Sequence, residues 1–227
     1  MKLAALFSGG KDSTFAIYKA KSEEHDIKCL VTFFPKSSES TLFHYPNVHL
    51  TRLQAKSMEI PHAFAQLDSD NTNLQVNVLE RTLKQAKNRF HIDGLVYGGI
   101  LSEFQKKKFE KICSKLKLQI ISPLWKMNQK EYMHMLIESK FQFIITSVSA
   151  GGLDETWLGT KITNEEIDRL EKLSITHGFN LSFEGGEAET LVTNCPLFSS
   201  PLKILKSNKI WDGYRGRLEI TEAILEK

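Results

Sequence analysis

Short apolar runs alternate with longer amphipathic runs through the first half of the chain. The apolar runs are KLAALF, IKCLVTFF, HAFAQL and GLVYGG, and the amphipathic runs between them cover residues 13–22, 50–58 and 74–90. Strands and helices in this repeated order predict a parallel sheet with crossover helices. Such sheets bind ligands at the carboxyl ends of their strands, where the strand order reverses. We therefore expect a ligand site near the end of the first strand.

The second half begins with a glycine-containing turn, YGGIL. The next segment predicts a helix over residues 103–117, whose first amides Ser102 can cap, and then a buried strand. A helix, a strand and a further helix that ends at Gly178 follow, and the tail predicts an antiparallel hairpin around residues 212–213. This half therefore resembles a mixed α+β unit rather than a continuation of the first pattern.

The two patterns divide the chain of 227 residues near Ile100. We expect an α/β domain with a Rossmann-like parallel sheet over residues 1–100 and a second, α+β domain over residues 101–227. Length alone permits either one large domain or two small ones.

The first predicted strand leads directly into the turn SGGKDS. Its residues are Ser8, Gly9, Gly10, Lys11, Asp12 and Ser13. The two glycines let the backbone turn sharply and present its amides to an anion, and the helix that follows adds unpaired amides and partial positive charge. The lysine and the hydroxyls add further phosphate donors. The spacing fits neither the common P-loop nor GxGxxG, so we predict a phosphate site of another type.

Composition limits the partners and the location. The net charge of +3, from 30 basic and 27 acidic residues, is too near balance to indicate nucleic-acid binding over the whole surface. The three cysteines show no CxxC pair or zinc-ligand spacing, and no apolar run approaches the ~20 residues that cross a bilayer. Because the first residues also lack a signal-peptide pattern, we expect a cytoplasmic protein with no membrane partner and no direct nucleic-acid partner.

At the level of motifs, SGGKDS resembles the PP-loop of the N-type ATP pyrophosphatases, which cleave ATP between its α and β phosphates. Six later stretches resemble the diphthine:ammonia ligase family in the same order over almost the whole chain. They are FHYPN, QAKSMEIP, GGILSEFQKKKFEKIC, SPLW, GGLDETWLG and EGGEAETLVTNCPLF. The resemblance implies a sheet of the adenine nucleotide alpha hydrolase-like, HUP type.

The resemblance also implies a reaction. Members of this family use ATP and ammonium to amidate diphthine, a modified histidine on translation elongation factor 2, and so produce diphthamide. The implied products are AMP and pyrophosphate, formed through an acyl adenylate that ammonia attacks. Lys11 and the loop amides would stabilise the leaving pyrophosphate, and bound Mg²⁺ would offset its charge. Asp12 would contact this Mg²⁺ directly or through water, or serve only as an N-terminal helix residue.

Three carboxylates lie close together in the EGGEAE segment: Glu184, Glu187 and Glu189. They could hold ammonium, accept its proton or bind a metal, and the alternative is an acidic surface loop. If the segment is extended, Glu187 and Glu189 share a face.

A second group of residues matches family motifs without a defined role in the cleft. This group is His44, Gly98, Gly99, Ser102, Gln105, Trp125 and Trp157. His44 would contact ATP or diphthine, or lie on the surface, and the two tryptophans would line the cleft or pack in the core. Three positions depart from the pattern of the family that the chain resembles. Phe183 stands where glycine is common, Ala188 stands where an aromatic residue is usual, and Lys108 stands where arginine is frequent.

Two other functions stay open from the sequence. The first is another PP-loop ATP pyrophosphatase that modifies tRNA, which the absence of paired cysteines and the near-neutral charge disfavour. The second is a regulatory nucleotide-binding module without turnover, which the three carboxylates disfavour. The sequence leaves the oligomeric state open, with a homodimer among the options.

Overall fold

A computed structural model describes residues 1–36 and 47–226 of the chain. Its first layer is a five-stranded parallel sheet in the order β3-β2-β1-β4-β5. The strands are β1 (Lys2–Leu6), β2 (Asp26–Phe34), β3 (His62–Gln66), β4 (Gly94–Val96) and β5 (Gln119–Ile121). The helices around this sheet are α1 (Lys11–Ser22), α2 (Thr51–Met58), α3 (Thr72–Phe90) and α4 (Glu103–Leu116).

The central strand β1 is buried on both faces because helices cover each side of the sheet. Its alternate residues enter two different cores: Leu3 and Ala5 pack in one, and Ala4 packs in the other. Side chains of a strand alternate between faces, so this partition follows from the strand geometry. The strand order reverses between β1 and β4, where a ligand site is expected.

A second sheet is antiparallel, in the order β7-β6-β9-β8. Its strands are β6 (Gln142–Val148), β7 (Ala188–Asn194), β8 (Leu202–Trp211) and β9 (Gly216–Leu225), and its helices are α5 (Gln129–Glu138) and α6 (Asn164–His177). The predicted fold class, a Rossmann-like parallel sheet with a smaller α+β part, is confirmed. The last parallel strand lies at Gln119–Ile121, and the division near residue 100 stays a prediction.

One hydrophobic core joins the two sheets. Phe15 and Ile17 of α1 pack in the same cluster as Tyr132 and Leu136 of α5 and Val192 of β7. Burial of apolar surface is the dominant favourable contribution to such packing. The core therefore fixes the second sheet against α1, beside the SGGKDS turn of residues 8–13, the predicted phosphate loop.

Local predictions from the second half are confirmed. The Ser102 hydroxyl accepts a hydrogen bond from the Gln105 amide at 3.4 Å and caps α4. Gly178 ends α6 in the left-handed conformation, with φ of 73°. The Asp212 carboxylate accepts from the amides of Tyr214 and Arg215 in the turn between β8 and β9. Within the described ranges, no helix is both long and apolar enough to cross a membrane.

Candidate functional site

A cavity of about 480 Å³ opens at the carboxyl ends of the central parallel strands. Its walls come from the ends of β1, β2 and β4, from the first half of α4, and from residues 183–186 and 188–190 in and before β7. Ligand pockets for small molecules typically have about 300–1,000 Å³. The cavity is therefore large enough for a nucleotide, and it lies where the strand order reverses.

The SGGKDS turn forms one wall of this cavity. Gly9 has a φ of 81°, and a Cβ there would lie 2.3 Å from Gln54 Oε1, so only glycine fits. Gly10 is the N-cap of α1, and no side chain caps this helix within the described residues. The Lys11 amide donates to Thr190 Oγ1, and the next two helical amides, those of Asp12 and Ser13, which have no partner inside the helix, are available to an anion. The hydroxyls of Ser8 and Ser13 lie 3.1 Å apart beside them.

The second sheet holds the phosphate loop from behind. The Val192 amide donates to the Gly9 carbonyl at 3.0 Å, and the Lys11 amide donates to Thr190 Oγ1 at 3.1 Å. Gln54 of α2 bridges the two parts, because its Nε2 donates to the carbonyls of Gly9 (3.0 Å) and Val192 (2.7 Å). The loop conformation therefore depends on β7 as well as on the parallel sheet.

Replacement of Gln54 by methionine is expected to lower the free energy of unfolding by about 1–3 kcal/mol, because two buried hydrogen bonds are lost. We also expect weaker binding of ATP, the nucleotide that the motif resemblance implies. Urea denaturation and ATP titration measure the two effects. Gln66→Met is the matched control, since Gln66 is exposed and makes one 3.3 Å bond to Phe34 O. Equal ATP affinity in both variants would contradict the role of Gln54.

The Lys11 side chain is buried, with 2% exposed, and its ammonium makes three hydrogen bonds. It donates to both Asp12 oxygens at 2.8 and 2.9 Å and to the Ser182 carbonyl at 2.6 Å. Tyr132 also donates to Asp12 Oδ1 at 2.6 Å, and burial together with the Asp12 charge raises the Tyr132 pKa well above its usual value. Lys11 therefore connects the phosphate loop to the segment before β7.

We call residues 180–187 the acidic loop. Glu184 Oε1 accepts from three consecutive amides, those of Ile100 (2.9 Å), Leu101 (3.1 Å) and Ser102 (3.3 Å). Glu184 thus attaches the acidic loop to the turn before α4. Hydrogen bonds to a carboxylate are stronger than those between neutral groups, so Glu184 stabilises the position of this turn.

Glu187 and Glu189 have different surroundings. Glu187 Oε1 accepts from the amide and the Nδ2 of Asn180, and its Oε2 accepts from the Gly185 amide, so this carboxylate braces the acidic loop. Glu189 lies in β7 opposite Ser147 of β6 and lines the cavity. Glu187 and Glu189 were expected to share a face only if both lay in an extended strand. This condition is not met, because β7 begins at Ala188 and does not include Glu187.

The remaining candidates divide into two groups. Gly98, Gly99, Ser102 and Gln105 line the cavity. Trp157 is buried in the core with 3% exposed, beneath the Arg169 guanidinium, and the Trp125 ring lies 4.1 Å from the Lys106 ammonium. His44 lies outside the described residues.

The three departures from the family pattern also have defined positions. Phe183 and Ala188 line the cavity. Lys108 lies on α4 with its ammonium 5.6 Å from the Phe104 ring. Two of the three departures therefore change the cavity wall.

The structure adds residues that sequence reasoning did not single out: Gln54, Tyr132 and Thr190. Gln54 and Thr190 lie inside the QAKSMEIP and EGGEAETLV stretches, whose match to the family was the available signal. Tyr132 lies in an ordinary amphipathic helix and gave no signal.

The surroundings of Asp12 do not fit the role of a magnesium ligand. Both Asp12 oxygens contact the Lys11 ammonium, and one also accepts from Tyr132. No group of three metal-binding side chains occurs among residues 1–36 and 47–226.

The sheet order, the glycine turn after β1 and the adjoining cavity define an α/β protein whose first loop resembles a PP-loop. Two family models extend this classification: the diphthamide synthase N-terminal domain matches residues 1–120, and the diphthamide synthase C-terminal domain matches residues 128–225. The chain belongs to the diphthamide synthase family, which confirms the resemblance found in the motifs.

Individual relatives carry a more specific name. The diphthine–ammonia ligase of Mus musculus is 32% identical over 232 residues, which are 92% of this chain and 85% of the relative. The Homo sapiens protein of the same name is 31% identical with the same coverage. A solved structure described as a predicted subunit of a tRNA methyltransferase from Methanocaldococcus jannaschii is 16% identical, with a TM-score of 0.43, and covers 86% of this chain and 98% of its own.

Proposed function

We propose that this chain amidates diphthine on translation elongation factor 2, with ATP and ammonium as co-substrates. The observation that carries the proposal is one cavity with the phosphate loop on one wall and Glu189 with the acidic loop on another. Membership in the diphthamide synthase family supports the same reaction. The products are diphthamide, AMP and pyrophosphate.

The nucleotide would bind across the ends of β1 and β2. The amides at the start of α1 and the hydroxyls of Ser8 and Ser13 would contact the phosphates. The apolar part of the cavity wall, which includes Val31, Phe33 and Val48, would pack against adenine. Bound in this way, the nucleotide would direct its α-phosphate toward the acidic loop.

The reaction would proceed in two steps. A diphthine carboxylate oxygen would bond to the α-phosphorus as pyrophosphate leaves. The ammonia nitrogen would then bond to the acyl carbon as AMP leaves, and the nitrogen would release one proton to water. Ammonium must lose a proton before it can attack, and Glu189 is the cavity carboxylate proposed to accept that proton. Glu184 and Glu187 would act through the backbone that they hold.

Lys11 would supply positive charge to the cavity wall. Its ammonium lies with Asp12 and Ser182, so contact with pyrophosphate would require the side chain to move. Asp12 would then position Lys11 rather than a metal.

The protein would act in the cytoplasm without a nucleic-acid or membrane partner. The domain boundary near residue 100 is part of the proposal, and limited proteolysis tests it. The oligomeric state, with a homodimer as one option, is open to sedimentation measurements.

Incubation with ATP, ammonium and diphthine-bearing elongation factor tests the function. We expect AMP and amidated histidine in equal amounts, and we expect Glu189→Gln to lower kcat by about 10²-fold or more. Glu222→Gln is the control, because Glu222 lies on β9 and pairs with Lys206 at the surface. ATP binding without turnover by the unsubstituted protein would favour the regulatory module, and wild-type turnover by Glu189→Gln would remove this residue from the mechanism.

A further inference from the structure

Phe183 has a backbone conformation that bulky side chains rarely adopt. Its φ is 62°, in the left-handed region that glycine enters without cost. The chain therefore retains an aromatic side chain in spite of an unfavourable backbone.

The Phe183 ring covers the Lys11 ammonium. Phe183 is 5% exposed, and the Lys11 Nζ lies 5.5 Å from the centre of its ring. The ring of Tyr132 lies 5.8 Å from the same nitrogen. An ammonium within about 6 Å of an aromatic ring is attracted to its face, and the attraction grows when water is excluded.

The backbone around Phe183 contributes to the same contact. The Phe183 amide donates to the Asn180 carbonyl at 2.8 Å, and its carbonyl accepts from Gly186 at 3.1 Å. The Ser182 carbonyl, directly before this turn, accepts from Lys11 at 2.6 Å. The Ser182 amide and hydroxyl in turn donate to Gln129 Oε1 at 3.0 and 3.2 Å. Both the turn and the ring thus converge on Lys11.

We propose that Phe183 is a positioning residue that holds the Lys11 ammonium against Asp12, between the phosphate loop and the acidic loop. The consequence for catalysis rests on the proposed function, in which Lys11 supplies charge to the cavity wall. A glycine at residue 183 would allow the same turn but would leave Lys11 open to solvent. Phe183 therefore sets where this charge lies when the reaction begins.

Acetylation of the folded protein by an amine-reactive ester, followed by mass spectrometry, tests the position of Lys11 without any substrate. We expect Phe183→Gly to raise the Lys11 labelling rate at least fivefold, roughly the ratio that one cation–π contact supplies. Phe183→Leu keeps apolar bulk without an aromatic face, and we expect a smaller rise of about twofold. Lys107, which is exposed, is the internal reference.

Phe179→Ala is the matched control, because the Phe179 ring stacks on Phe183 at 6.4 Å and is absent from the cavity wall. Unchanged Lys11 labelling in both Phe183 variants would overturn the proposal. A rise in Phe179→Ala as large as the rise in Phe183→Gly would overturn it as well. In the amidation assay, Phe183→Gly should lower kcat while the KM for ATP changes by less than about twofold. Because labelling needs no turnover, a failed amidation reaction would count against the proposed function alone.

Discussion

Replacement of Gly98 by alanine is expected to abolish ATP binding and to lower the free energy of unfolding by about 3 kcal/mol. A Cβ at Gly98 would lie 2.5 Å from the carbonyl carbon and oxygen of Asp12 and 2.7 Å from the Ser13 nitrogen. These are backbone atoms at the start of α1, so no side-chain rotation relieves the overlap. The turn after β4 would move away from the phosphate loop, or the loop would distort. Urea denaturation and titration with ATP measure the two losses.

Gly151→Ala is the control for this substitution. A Cβ at Gly151 would find its nearest neighbour, His177 Nδ1, at 4.0 Å, which is ordinary contact. We expect a change in unfolding free energy within about 0.5 kcal/mol and unaltered ATP binding. If Gly98→Ala behaved like Gly151→Ala, the close approach of the β4 turn to α1 would not be needed for the site.

The hydrophobic pattern predicted the parallel sheet because its signals are local. Each strand and helix of that sheet carries its own apolar period, and the turn after β1 carries its own glycines. Ser102 and Gly178 likewise mark helix ends through bonds or backbone angles within a few residues. These features were therefore readable from the sequence.

The joint between the two sheets was not readable from the sequence in the same way. Gln54 meets Val192 across 138 residues, and the Lys11 amide meets Thr190 across 179 residues. No periodicity encodes such contacts, because they depend on how β7 packs beside the phosphate loop. The same limit applies to Glu187, which lies near Glu189 in sequence but braces the acidic loop instead of lining the cavity.

Phe183 shows how a departure from a motif gains meaning from backbone geometry. The sequence identified the replaced glycine without a consequence for it. The φ of 62° explains why glycine suits the position, and the nearby Lys11 ammonium explains what an aromatic ring contributes there. A difference found in the motif thus concerns the placement of a charge.

Glu184→Ala is expected to lower the free energy of unfolding by about 2–4 kcal/mol, because three amides lose a charged acceptor. The turn before α4 forms one wall of the cavity, so the amidation rate should also fall by about 10²-fold. Hydrogen exchange at Ile100, Leu101 and Ser102 measures the local effect, and denaturation measures the global one.

Glu184→Gln separates the hydrogen bonds from the charge. The amide oxygen of glutamine keeps the acceptor but carries no charge, so we expect about half the loss of stability and partial protection of the three amides. Glu103→Ala, at an exposed site in the first turn of α4, is the control, and it should change stability by less than about 1 kcal/mol. Unchanged exchange at residues 100–102 in Glu184→Ala would show that the acidic loop does not hold this wall. In that case Glu184 would be available, like Glu189, for contact with diphthine.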